Sequence, residues 1–124
     1  MQKIDMIAGL STLAEAYDGV ICDVWGVLHN GISPYPAAAE ALARFRALGK
    51  AVVLLTNAPR PAKAVEDLLS RQYASGPASY DEIVTSGAVA RKVFETESRR
   101  RVFHLGPQHN LGLFEGLDVE LVGE

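Results

Sequence analysis

Val20-Ile21-Cys22-Asp23-Val24-Trp25-Gly26-Val27-Leu28-His29-Asn30-Gly31 is the stretch on which the fold turns. Val20 to Val24 is apolar on successive residues around a single carboxylate. A strand that is apolar on both faces belongs inside a sheet covered on both sides. Asp23 would stand at its carboxyl end. Gly26 to Pro36 then holds two glycines, two prolines, Asn30 and Ser33, the composition of an irregular loop. A carboxylate ending a buried strand costs free energy unless a cation or several donors compensate it. Asp23 therefore reads either as part of a site or as a cap on the turn that follows.

Upstream, Leu10, Leu13, Ala14 and Tyr17 are spaced as one face of a short helix. Downstream, Pro36 suits a first helical turn. Ala38, Leu42, Phe45 and Leu48 then recur at helical spacing, and Gly49 supplies a left-handed stop. Ala51-Val52-Val53-Leu54-Leu55-Thr56 is a second buried strand. Asn57-Ala58-Pro59-Arg60-Pro61 turns the chain into a helix running to about Gln72, with Ala64, Val65, Leu68 and Leu69 as its apolar positions. After a polar loop, Tyr73 to Ser79, come a strand at Ile83-Val84-Thr85 and a helix from Gly87 to Glu95 bearing Val89, Ala90, Val93 and Phe94. Ser98 to Arg101 reads as a solvated break, Val102 to Leu105 as a fourth strand and Val119 to Val122 as a fifth. Strands alternating with helices over short connections predict an α/β fold, a Rossmann-like parallel sheet with helices on both faces. Such sheets bind ligands outside the carboxyl ends of their strands. Asp23 and Thr56-Asn57 occupy that position.

The 124 residues suit one domain with a real core. A net charge of -3 gives no general affinity for nucleic acid or for anionic membranes. No apolar run approaches the roughly 18 residues of a membrane span, and no secretory signal follows Met1 to Asp5. One cysteine allows no intrachain disulfide, which fits a cytoplasmic protein. Strand alternation points Cys22 away from Asp23, so an inert thiol is expected. Cys22, His104 and His109 have no zinc-like spacing. Arg60, opening the second helix, is placed either to reach a phosphate or to face solvent.

Asp23-Val24-Trp25-Gly26-Val27-Leu28, followed by Asn30-Gly31, resembles the first motif of the haloacid dehalogenase-like (HAD) hydrolases. Leu55-Thr56-Asn57-Ala58-Pro59 resembles the second motif of their NagD-like branch. Tyr80 to Gly87 resembles that branch's third strand and following helix. The resemblance implies a phosphohydrolase acting on a small phosphorylated metabolite. Asp23 would be the nucleophile and form an aspartyl-phosphate. Magnesium would be held by Asp23 and the main-chain carbonyl of Trp25. Thr56, with Asn57 and Arg60, would bind the phosphate.

The sequence also departs from the pattern. The family's acid-base group stands two residues after the nucleophile, where this chain has Trp25. An indole NH donates a hydrogen bond but exchanges no proton near neutral pH, so general acid help worth about 10²–10⁴ in rate is lost. Trp25 would then signal different chemistry, a restriction to good leaving groups, lost activity, or simply a filler of space. His29 is the nearest substitute acid, although a loop histidine is expected to be exposed. The third-motif lysine and fourth-motif acids are not found. The resemblance thus implies a partial HAD core over 1–97, the start of an inserted cap or the end of a truncated core over 98–124, and an amino-terminal part of a longer protein with little activity alone. Two other readings stay open. One is a non-catalytic module that binds a partner or forms a homodimer through an exposed sheet edge. The other is a metal-independent hydrolase like the dehalogenases, which have an aromatic residue at position 25.

Overall fold

Strands β1 (Gly19–Cys22) and β2 (Ala51–Thr56) pair in parallel, Gly19 opposite Ala51 through Cys22 opposite Leu54. With β3 (Glu82–Thr85) they form a sheet of order β1-β2-β3. The computed structural model describes residues 6–73, 79–98 and 100–123. Residues 1–5, most of the expected loop at 74–78, Arg99 and Glu124 lie outside the described residues. The helices are α1 (Pro36–Ala47), α2 (Ala62–Gln72) and α3 (Ser86–Thr96). A parallel sheet with crossover helices is the α/β, Rossmann-like architecture that the alternating pattern predicts. The two late strands, β4 (Arg101–Phe103) and β5 (Glu120–Val122), form a separate two-stranded parallel sheet. No helix among the described residues is long and apolar enough to cross a membrane.

Contacts gather into two compact units, Met1–Leu55 with Gln72–Ile83 and Thr56–Arg71 with Val84–Glu124. In the first, Val24, Leu28, Leu42, Phe45, Val52 and Leu54 are buried. The N-cap Tyr35 of α1 makes no side-chain cap bond. Each buried apolar side chain contributes roughly 1.5–3 kcal/mol, so Leu42 and Phe45 hold α1 more than its cap does. Gly49, at φ 78, ends it in the left-handed conformation. The expected helix at Leu10 to Tyr17 is a single 3-10 segment, Leu10–Leu13, packed on α1. At three residues per turn Leu10 and Leu13 eclipse, and Tyr17 falls off that line into solvent. β1 also differs from expectation. It is an edge strand of this sheet, and Ile21 is 72% exposed.

In the second unit, α2 buries Val65 and Leu69, and a 3-10 segment, Gln108–Phe114, buries Leu113 and Phe114 against α3. The Phe94 and Phe114 rings lie 5.4 Å apart between centroids. Arg91 of α3 donates to the carbonyls of Leu113 and Glu115 at 2.6 and 2.9 Å. Val89 and Val93, expected on the apolar face of α3, are half exposed.

The start of β2 is fastened by Asp81. Its carboxylate accepts from the Val52 NH at 2.8 Å and pairs with the Arg46 guanidinium. The backbone NH, then the guanidinium, hold the Asp81 carboxyl below the usual carboxylate range. A lowered folded-state pKa stabilises the fold above the unfolded value of about 3.9, and the benefit fades as pH falls through the folded value. Asp81→Asn should therefore unfold at lower urea than the parent at pH 7, with the gap closing below pH ~4. A gap of constant size across that range would contradict this role.

Candidate active site

Asp23 follows the last residue of β1 and is exposed. Solvent thus supplies much of the compensation that a buried carboxylate would need. One carboxylate oxygen, Oδ1, accepts from the NH of Val24 at 2.7 Å, and Oδ2 makes no hydrogen bond among the described residues. Cys22 is half-buried, and its thiol donates to the Asp23 carbonyl at 3.1 Å. Burial pushes that thiol above its ordinary value, and the Asp23 charge adds to the effect, so Cys22 stays protonated and unreactive at neutral pH.

The loop after Asp23 is folded on itself. Val24 and Leu28 anchor it in the core, and the NH groups of Val27 and Leu28 return to the Val24 carbonyl. The Gly26 NH donates to the His29 carbonyl at 2.7 Å, with Gly26 at φ 78. Asn30 Oδ1 accepts from the NH groups of Ile32 and Ser33 at 3.0 and 2.7 Å. His29 is 2% exposed, contrary to the exposure expected of a loop histidine. Its Nδ1 accepts from the Gly31 NH at 2.8 Å, and β-bridges join its backbone to Trp25 and Pro34. With its backbone tied on both sides and a ring nitrogen satisfied, the imidazole is buried at little cost. In the neutral ring this bond leaves the proton on Nε2.

Trp25 lies across Gly31, where a Cβ would fall 2.3 Å from the indole ring, and meets His29 edge to face with centroids 5.4 Å apart. Trp25 remains 62% exposed. Its main-chain carbonyl receives no hydrogen bond among the described residues. The far end of the loop is tied by Tyr73, whose hydroxyl donates to the Leu28 carbonyl and accepts from the Tyr35 NH at 3.1 Å.

Thr56, Asn57 and Arg60 belong to the second unit. Thr56 ends β2, is buried, and accepts at Oγ1 from the Ala58 NH at 3.2 Å. Asn57 is exposed, and its carbonyl accepts from the Ser86 hydroxyl at 2.9 Å. Arg60 is exposed and lines an open pocket with Lys63, Arg91 and His109. Its carbonyl accepts from the Thr85 hydroxyl at 2.6 Å, while the same hydroxyl caps α3 by accepting from the Ala88 NH at 2.9 Å. Gly87 donates its NH to the Ala58 carbonyl, and a Cβ there would lie 2.4 Å from the Arg60 backbone. The structure thus gathers Asp23, Trp25 and His29 on one loop of the first unit, and Thr56, Asn57 and Arg60 on one loop of the second.

Residues 20–120 match the family model for haloacid dehalogenase-like hydrolases. The chain belongs to that family. A crystal structure of a haloacid dehalogenase-like hydrolase from Brucella suis 1330 is 42% identical over 97% of this chain, with a TM-score of 0.85. The match covers 45% of that structure's chain, so this chain spans less than half its length. No curated protein matches. Haloacid dehalogenase-like hydrolases generally use magnesium. Asp23 Oδ2 and the Trp25 carbonyl are hard, uncommitted oxygens of the kind magnesium prefers. Among the described residues no group of three or more His, Cys, Asp or Glu side chains could hold a metal.

Thr85, Gly87, Tyr73 and Gly31 position these loops and were not singled out in the sequence as doing so. Tyr73 acts 38 and 45 residues from its partners, a separation at which no local pattern exists. Thr85 and Gly87 stood in view inside the third-strand segment, Tyr80 to Gly87, but their grip on the Pro59-Arg60 turn is tertiary. Thr85→Ala should cost about 1–3 kcal/mol by removing the cap and orphaning the Arg60 carbonyl, while Thr85→Ser retains most of the stability. Gly87→Ala should cost at least as much as Thr85→Ala. Urea titrations that place either Ala variant on the parent curve would show that this clamp is dispensable.

Proposed function

We propose that this HAD-family chain carries the nucleophile half of a phosphohydrolase of the NagD-like type, acting on a small phosphorylated metabolite. The observation that carries the reading is the state of Asp23. Its carboxylate stands exposed past a β-strand, steered by one NH at Oδ1 and, among the described residues, unbonded at Oδ2, with a folded loop following it. A carboxylate so held is available to attack without breaking an ion pair.

One Asp23 carboxylate oxygen forms a bond to phosphorus as the ester oxygen departs, and water then hydrolyses the aspartyl-phosphate. Thr56, through its hydroxyl and NH, holds a phosphate oxygen, with Asn57 and Arg60 as further phosphate contacts. Asp23 and the Trp25 carbonyl would contribute to holding magnesium, which would supply charge neutralisation. His29 is the titratable side chain nearest Asp23 in the loop that follows it. Nε2 already carries the ring proton while Nδ1 accepts from the Gly31 NH, so His29 would serve as the missing acid only once Nδ1 gives up that bond and is itself protonated.

Phosphate release from a generic phosphate ester should be measured in the longest polypeptide that carries these residues. Asp23→Asn should lower kcat by at least about 10³, as expected when a covalent step is lost. Equal rates in variant and parent would refute Asp23 as nucleophile. Haloacid turnover that survives thorough chelation would instead favour dehalogenase-like chemistry. A self-associating module is the second reading, favoured by the edge position of β1 and the exposure of Ile21 and Leu55. A monodisperse monomer by light scattering contradicts it.

A further inference from the structure

We infer that Trp25 is a stacking platform for a planar aromatic leaving group, so that the preferred substrates of this site are aryl phosphates. The inference rests on the proposed phosphohydrolase reading for its chemistry, but its binding half stands independently. Three observations carry it. Trp25 is a large aromatic left 62% exposed, and Val27 and Ile32 of the same loop are exposed too, whereas Val24 and Leu28 are buried. The indole is not loose: it lies on the bare Cα of Gly31, where any side chain would collide with it, and the edge-to-face His29 ring fixes it from the side. His29 is in turn locked by the Gly31 NH. A ring supported in this way and open elsewhere is preorganised to stack, because little ordering entropy is lost on binding. Finally, Trp25 is two residues from Asp23, so their Cα atoms lie within roughly 7.6 Å. A group resting on the indole is therefore near a phosphorus under attack.

The chemistry points to the same substrates. Asp23 forms an O–P bond, the P–O(aryl) bond breaks, and the electron pair leaves on the aryl oxygen as a phenolate. A phenol has a pKa of about 10, so a phenolate departs without being protonated in the step. An alkoxide does not, and an alkyl ester would require the general acid that an indole cannot be. The same side chain that removes the acid thus supplies a surface suited to leaving groups that need none.

Trp25 is the sole tryptophan in the 124 residues, so fluorescence excited to the red of the tyrosine band reports on this ring alone. Titration with phenyl phosphate should quench or shift it saturably, while glycerol phosphate and inorganic phosphate at the same concentrations should not. Gly31→Ala, which displaces the ring, should weaken that response. In the catalytic polypeptide, the ratio of kcat/KM for phenyl phosphate to that for glycerol phosphate should fall roughly five- to tenfold in Trp25→Leu and be largely kept in Trp25→Phe. No saturable response to phenyl phosphate, or a substrate ratio unchanged in Trp25→Leu, overturns the platform even if Asp23→Asn abolishes turnover. A saturable response with no Asp23-dependent turnover supports the platform and refutes the phosphohydrolase reading.

Discussion

The hydrogen bond from the Gly31 NH to Nδ1 of His29 governs the region around Asp23. Through it a histidine can be buried in a loop, and the buried histidine becomes the post against which Trp25 rests edge to face. Gly31, at φ 91 and without a side chain, both donates the bond and leaves room for the indole. Two demands meet at one residue, and only glycine satisfies both. With Val24 and Leu28 as apolar anchors and Tyr73 tying the loop's far end, the chain beyond Asp23 is shaped before any ligand arrives. That rigidity would serve the proposed role of Asp23, because a nucleophile is effective when its geometry is fixed in advance.

The second loop is built on a different principle. It owes its shape to backbone groups held from α3, by the Thr85 and Ser86 hydroxyls and the Gly87 NH. Thr85 links the loop to helix formation, since one hydroxyl caps α3 and closes on the Arg60 carbonyl. The side chains of Asn57 and Arg60 remain exposed, while their main chain carries the structural work. Such a division leaves polar groups available for an anion without sacrificing the turn.

Much of this was legible in the sequence, for identifiable reasons. β2 was readable to its boundaries because Val52 and Leu54 alternate within an apolar run and Gly49 marks the stop before it. The positions of Asp23 just past β1 and of Thr56 at the end of β2 were readable because the apolar runs before them mark where each strand stops. What failed depended on distant contacts or on helix type. Tyr17 was assigned to an apolar face that a 3-10 segment does not present. Ile21 was expected to be covered, but β1 stands at the edge of its sheet. His29 was expected in solvent because nothing local announces that a backbone NH two residues on will satisfy its ring.

The most direct test of the account is chemical trapping of the covalent intermediate. The longest polypeptide carrying these residues would be mixed with phenyl phosphate, quenched during turnover and treated with borohydride, which converts an acyl-phosphate to an alcohol. Peptide mass spectrometry should then find homoserine in place of Asp23, and no such product without substrate. Steady phosphate release with an intact Asp23 carboxylate at every time point would contradict the assignment of Asp23 as the nucleophile.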